Sequence, residues 1–275
     1  MHEHLPYDDL YIYLIEGRVS EADEIDLGKA FLGNWVEDDT AFLFFSEPSK
    51  GLVDTLLRSR EDLGYIDEYH LPYEQWQGGI FEPIRVEPLL IAPPWLEVES
   101  APGEIKLVLD PGVVFGNGLH PTTIDSLRAL IYLHESQISI KEVLDLGTGT
   151  GILALAAAYL GADNVTAVDL NPLAVKTAER NVLLNDFGEI INVVEGQAQD
   201  FVDRPADLVL ANIHHAVIKR LLEMKDFREK NRFIISGLMR SQSRDLKTRL
   251  KTHGFEVIRE WDHEMTWYTL LVDRS

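Results

Sequence analysis

Two short apolar runs flank a segment of helical length near the middle of the chain. Val143–Leu146 ends in three closely spaced glycines, the apolar-rich stretch after them continues to about residue 160, and Val165–Val168 ends on Asp169. This alternation predicts a β–α–β unit. Gly147, Gly149 and Gly151 fall where a strand turns sharply into a helix, and a residue without a side chain lets the backbone approach a ligand there. Asp169 follows about 20 residues on, the reach needed to grip a ribose diol, so the unit reads as the nucleoside-binding half of a doubly wound sheet.

The pattern continues on both sides. Downstream it predicts helix 174–184, strand Ile191–Val194 with Gln197–Phe201 after it at the ligand-binding edge, and strand Asp207–Leu210 ending in Ala211-Asn212-Ile213. Helix 217–225, strand Phe233–Ile235, a helix over about 239–252, and strands Glu256–Glu260 and Thr266–Val272 complete it. Two strands in succession with no helix between them require an antiparallel pair at the end of an otherwise parallel sheet. Upstream, Ile105–Leu109 reads as a strand running into the glycine-punctuated loop 110–120. Pro121-Thr122-Thr123 then opens a helix to about Leu133, with proline in the first turn and the threonines free to cap it. Near the amino end, Tyr11–Ile15 and Ala41–Phe45 read as strands, Pro48–Arg60 as a helix, and Asn34-Trp35 with Glu37–Asp39 as a polar connection. These predict a small α+β domain over 1–75. Four prolines at 83, 88, 93 and 94 forbid a helix between, while Trp76, Phe81 and Trp95 give residues 76–100 the apolar anchors of an ordered connector. The second domain then spans 101–275.

Composition narrows the classes. A chain of 275 residues with 45% hydrophobic and 26% charged residues is ordinary for a globular protein. It has no run long and apolar enough to span a membrane, and MHEHLPYDDLYIY has no basic segment before an apolar core, so neither membrane span nor signal peptide is expected. The absence of cysteine removes disulfide and thiol chemistry and fits a cytoplasmic protein. The net charge of −21 is uneven: residues 1–100 hold 22 acidic and 6 basic residues, residues 101–275 hold 24 and 19. That balance argues against direct nucleic-acid binding, and the acidic first domain is suited to steering a basic protein. No metal site is expected, because His120 stands without cysteine, aspartate or histidine at ligand spacing; a structural or substrate-shaping histidine is the reading.

The glycine turn is G-x-G-x-G with Ile152 in sixth place, so it lacks the third glycine of the dinucleotide fingerprint and resembles the class I S-adenosylmethionine-dependent methyltransferases. Taken together, DPGVVFGNGLHPTT (110–123), VLDLGTGTGILALAAAYLGA (143–162), AVDLNPLAV (167–175) and LVLANI (208–213) resemble the ribosomal protein L11 methyltransferases, the PrmA-type enzymes. WQGGIFEPIRVEPLLIAPPW (76–95) and the segment 235–272 are similar to that family too, whereas over 1–72 only length and α+β character agree. The resemblance implies a doubly wound, seven-stranded α/β sheet with an antiparallel last strand, behind a small N-terminal α+β substrate-recognition domain. It implies a monomeric enzyme that moves methyl groups from S-adenosyl-L-methionine to lysine side chains and the N-terminal amine of ribosomal protein L11. Carried over by position, the cofactor residues are Thr123, Gly147, Asp169 and Asn212.

The residues themselves assign Asp169 to the ribose hydroxyls, and Gly147, Gly149 and Gly151 to close approach around the methionine part. Asp145 is either the partner of the cofactor's amino group or a strand-end acid holding the turn. Asn212 either accepts a hydrogen bond from the incoming amine, as the catalytic residue, or fixes the methionyl tail, or caps the next helix. Two departures from the family pattern leave the acceptor open: Asn117 and Leu119 where threonines are usual, and His214-His215-Ala216-Val217 after Ala-Asn-Ile. The histidines read as loop residues in preference to bases. Another protein's lysine, a small amine, or a silent binding module of the same fold are the alternatives.

Overall fold

The structure is a computed structural model describing residues 5–80 and 82–275. It divides into two units, one reaching to residue 82 and taking in 95–97, the other formed by 83–94 and 98–275.

In the first unit, β1 (Asp9–Glu16) has buried residues on both faces, Leu10 and Ile12 on one and Tyr13 and Ile15 on the other. With β2 (Phe31–Glu37), β3 (Thr40–Phe45) and β4 (Gly64–Pro72) it forms an antiparallel sheet in the order β2-β3-β1-β4. The short α1 (Glu21–Glu24) precedes β2, and α2 (Lys50–Ser59) lays Val53 and Leu56 over Tyr13, Ile15, Leu43 and Phe45. The polar connection expected at Asn34-Trp35 is instead the interior of β2. Asn34 is carried inside the unit because its Nδ2 donates to Val19 O at 2.9 Å, a bond that hydrophobic periodicity does not reveal. β4 has no sequence signature because it is an edge strand exposed along most of its length.

The segment expected as a connector carries three elements. After α3 (Tyr73–Trp76), whose Trp76 ring packs edge-on to Phe44, come β5 (Ile84–Val86) and β6 (Leu89–Ala92), both in the second unit. β6 is wholly buried and pairs in parallel with β7 (Ile105–Val108), so this three-stranded sheet stands apart from the larger one. Phe81, the third of the expected apolar anchors, lies outside the described residues.

The rest of the second unit alternates as the pattern predicts: α4 (Pro121–Glu135), β8 (Glu142–Leu146), α5 (Ile152–Tyr159), β9 (Asn164–Asp169), α6 (Pro172–Leu184), β10 (Ile191–Glu195) and β11 (Leu208–Asn212). α7 (His215–Glu223), α8 (Lys225–Arg228), β12 (Arg232–Met239), α9 (Arg240–Thr252), β13 (Phe255–His263) and β14 (Trp267–Arg274) follow. The sheet order is β10-β9-β8-β11-β12-β14-β13. Five strands are parallel, and β14 runs antiparallel to both neighbours. β8 has its last four residues buried and shows no polar face, because helices cover both sides of the sheet. Leu127, Leu130 and Leu133 of α4, most of α5 and Val182 of α6 fill one side; Ile218, Leu221, Phe227, Leu246 and Leu250 of α7, α8 and α9 fill the other. Alanines 154, 156, 157 and 158 bring α5 close to the sheet, and fully burying Leu155 contributes about 1.5–3 kcal/mol. The strand order reverses between β8 and β11, and open α/β sheets bind ligands at the carboxyl ends of the strands flanking such a point.

Candidate active site

The carboxyl ends of β8, β9 and β11 are level in register, with Leu146 beside Val168 and Ala211. From that level the glycine turn folds back, its first two amides, Gly147 N and Thr148 N, both donating to Val168 O at 2.8 and 2.9 Å. Gly147, Gly149 and Gly151 have φ of +75°, +56° and +83°, the region other residues avoid. The chain itself crowds two of them. A Cβ on Gly147 would lie 2.1 Å from Ile213 Cγ2, just past β11, and one on Gly149 would lie 2.7 Å from Phe115 O in the 110–120 loop. The turn is therefore wedged between the end of β11 and that loop.

Asp145 lies beneath the turn, 1% exposed, and accepts the Thr148 hydroxyl at 2.6 Å. Burial pushes its carboxyl up to about 7; the Thr148 hydrogen bond pulls the other way and the charge of Asp169 adds to the rise. This geometry is that of an acid holding the turn. Asp169, at the tip of β9, accepts Gly149 N on Oδ2 and Asn171 N on Oδ1, both at 2.9 Å. Burial raises its pKa as well, and the amide donors oppose that rise. A carboxylate has about four acceptor positions, so these amides leave capacity for a diol. Asn171 in turn caps α6 by accepting Leu173 N. After β10, the expected edge segment Gln197–Phe201 becomes a single 3₁₀ turn that drops Phe201 into the core.

The cap of α4 differs from expectation. His120 holds the N-cap position and accepts Thr122 N, while Thr122 and Thr123 are buried in the first turn. The imidazole competes successfully because Phe115 and Trp267 rings hold it edge-on at centroid distances of 5.3 and 5.0 Å. Burial, and behind it the charge of His263, lowers the His120 pKa. Thr123 Oγ1 is buried and has no hydrogen-bond partner among the described residues, a deficit worth about 1–3 kcal/mol that a bound polar group would relieve. Asn212 ends β11 and donates from Nδ2 to Thr122 Oγ1 at 3.3 Å. It does not cap α7: His214 does, accepting Ala216 N, and the half-buried His215 sits 3.5 Å from Asp245.

Two functional supports escaped the sequence reading. Asn181 of α6, completely buried, accepts Asp110 N at 2.8 Å and donates to Asp110 O and Thr150 O at 2.9 and 2.8 Å. Thr150 Oγ1 then donates to Gly116 O at 2.7 Å, and Arg180 pairs with buried Asp110 at 2.8 Å, so α6 fastens the start of the 110–120 loop directly and its middle through Thr150. The available signal was an asparagine standing in the apolar spacing Ala174, Ala178, Val182.

The turn with the strand-tip carboxylate tied to it, and the orphaned threonine in the first turn of α4, suit a nucleoside that carries a polar tail. Together with a sheet whose antiparallel strand lies next to last, they define a Rossmann-like, S-adenosylmethionine-dependent methyltransferase. Residues 71–275 match the family described as Ribosomal protein L11 methyltransferase (PrmA), and the chain belongs to that family. The ribosomal protein L11 methyltransferase of Desulfitobacterium hafniense is 38% identical over 227 residues, which are 80% of this chain and 71% of that protein. That of Shouchella clausii is 34% identical over 234 residues, 81% and 72% of the two chains. The crystal structure of a ribosomal protein L11 methylase from Lactobacillus delbrueckii subsp. bulgaricus superimposes with a TM-score of 0.62 at 28% identity, covering 71% of this chain and all of the other.

Proposed function

We infer that this enzyme methylates lysine side chains and the N-terminal amine of ribosomal protein L11. The relatives' names carry the acceptor; another lysine or a small amine is not favoured. When bound, S-adenosylmethionine supplies a methyl group on a sulfonium, already a good leaving group. The protein's task is then positioning, which can contribute up to about 7–11 kcal/mol.

In this reading Asp169 accepts the ribose hydroxyls on its remaining acceptor capacity, and Thr123 gives its unused hydroxyl to the methionyl tail. Gly147, Gly149 and Gly151 let the turn approach the tail, and Asp145 holds the turn from beneath with a carboxyl whose charge a nearby ammonium would favour. Asn212 offers its carbonyl oxygen to the acceptor amine. A lysine starts near pKa ~10.4, and burial in the site favours the neutral amine that attacks. The first unit is read as the substrate-recognition domain; the acidic surplus of residues 1–100 complements a basic protein. The reading takes the enzyme as a cytoplasmic monomer that contacts protein and not nucleic acid.

The observation that carries the cofactor reading is Asp169 tied to Gly149, which joins the sugar-binding acid to the glycine turn. Asp169→Ala is expected to weaken S-adenosylmethionine binding at least tenfold with the fold kept, since one or more charge-assisted hydrogen bonds are lost. Titration calorimetry with circular dichroism checks this, and unchanged affinity removes the assignment.

A further inference from the structure

We propose that His120 and Thr122 are positioning residues for methyl transfer: together they fix which way round the Asn212 amide stands. The proposal rests on the reading of Asn212 as the group that meets the acceptor amine. Thr122 N lies 3.3 Å from His120 Nδ1. A backbone N–H can only donate, so the contact is read with a bare Nδ1, and we assign the imidazole the neutral Nε2–H tautomer. Thr122 Oγ1 is 2.7 Å from that same Nδ1. Two acceptors do not approach so closely without a hydrogen between them, so the single hydroxyl hydrogen of Thr122 is committed to His120.

Only lone pairs of Oγ1 are then left for Asn212. In that tautomer the amide facing them at 3.3 Å presents its NH₂, an orientation that an isolated asparagine leaves open. The carbonyl oxygen is turned away and has no donor among the described residues. Beside it stands Gly237, at φ +77°, where an added Cβ would lie 3.1 Å from Oδ1, so a glycine keeps the space around that oxygen clear. The relay is held in place by its surroundings. Ser236 Oγ donates to Thr122 O at 3.1 Å and is itself 2.5 Å from Thr269 Oγ1, so the backbone of Thr122 is anchored to β12 and β14. Reversing the amide would set a carbonyl against the hydroxyl lone pairs and point NH₂ at the incoming amine, which needs an acceptor.

The test uses the full chain with purified ribosomal protein L11 and labelled S-adenosylmethionine. Thr122→Val is expected to lower kcat about tenfold, the worth of one positioning hydrogen bond, with cofactor affinity unchanged, and Thr122→Ser to restore it. His120→Asn, which keeps an acceptor near the place of Nδ1, is expected to retain activity that His120→Leu loses, and this pair serves if Thr122→Val does not fold. In an Asn212→Ala background, already strongly impaired, Thr122→Val should cause no further loss. Thr122→Val at wild-type kcat beside an impaired Asn212→Ala overturns the relay alone, as does an equal loss in both backgrounds. Asn212→Ala at wild-type kcat overturns the reading of Asn212 itself, and the relay falls with it.

Discussion

Asp145 is the residue at which burial and charge conflict most sharply. Above the ordinary aspartate pKa the unfolded chain has released this proton, whereas the folded chain keeps it up to about 7. Over that window the native state binds more protons, so the contribution of Asp145 to stability falls as pH rises and levels off above about 7, by on the order of a few kcal/mol. Asp145→Asn keeps the acceptor for Thr148 and removes the titration. It is expected to gain on the wild type between about pH 4 and about pH 7 in urea unfolding. Parallel profiles for the two proteins would contradict this. At this scale the sequence placed residues on their elements better than it told what each touches. Asp169, the glycines and Asn212 were legible from strand ends, but the capping by His120 and His214 was not, because an imidazole becomes a cap only where neighbouring rings or turns hold it. The glycines were expected to make room for a ligand; Ile213 and Phe115 show that the chain's own packing requires two of them as well.

Elements are legible in proportion to how strongly their burial is patterned. β8 and α5 are buried along nearly their whole length, and with the Val165–Val168 run of β9 they stand out as apolar blocks; β2 is interrupted by Gly33 and buried Asn34, and β4 exposes nearly all of its residues. β5 and β6 were hidden by prolines, which at strand ends and turns do not prevent pairing. The element with most leverage on the site is α6, through Asn181. Replacing it, Asn181→Leu, strands one amide and two carbonyl groups and is expected to cost about 2–4 kcal/mol. The 110–120 loop should then exchange its amide hydrogens faster, with weaker cofactor binding. Hydrogen exchange followed by mass spectrometry checks it; a loop as protected as in the wild type would show that Asn181 does not fasten it.

At the scale of the whole molecule, the succession of strands and helices and the antiparallel end of the larger sheet followed from alternation and from the final pair without a helix. The division of the chain did not, since residues 83–94 join the second unit by pairing with β7, a contact between distant segments that local composition does not record. The departures at Asn117, Leu119 and His214–Val217 leave that larger sheet and its glycine turn intact.

The most direct measurement is transfer of labelled methyl from S-adenosylmethionine to purified L11, with peptide mapping of the product, for the wild type and for Asp169→Ala. The account predicts label on lysine and N-terminal amines with the wild type and little with the variant at the same cofactor concentration. Wild-type protein that binds the cofactor but leaves L11 unlabelled, or equal labelling by the variant, would contradict it.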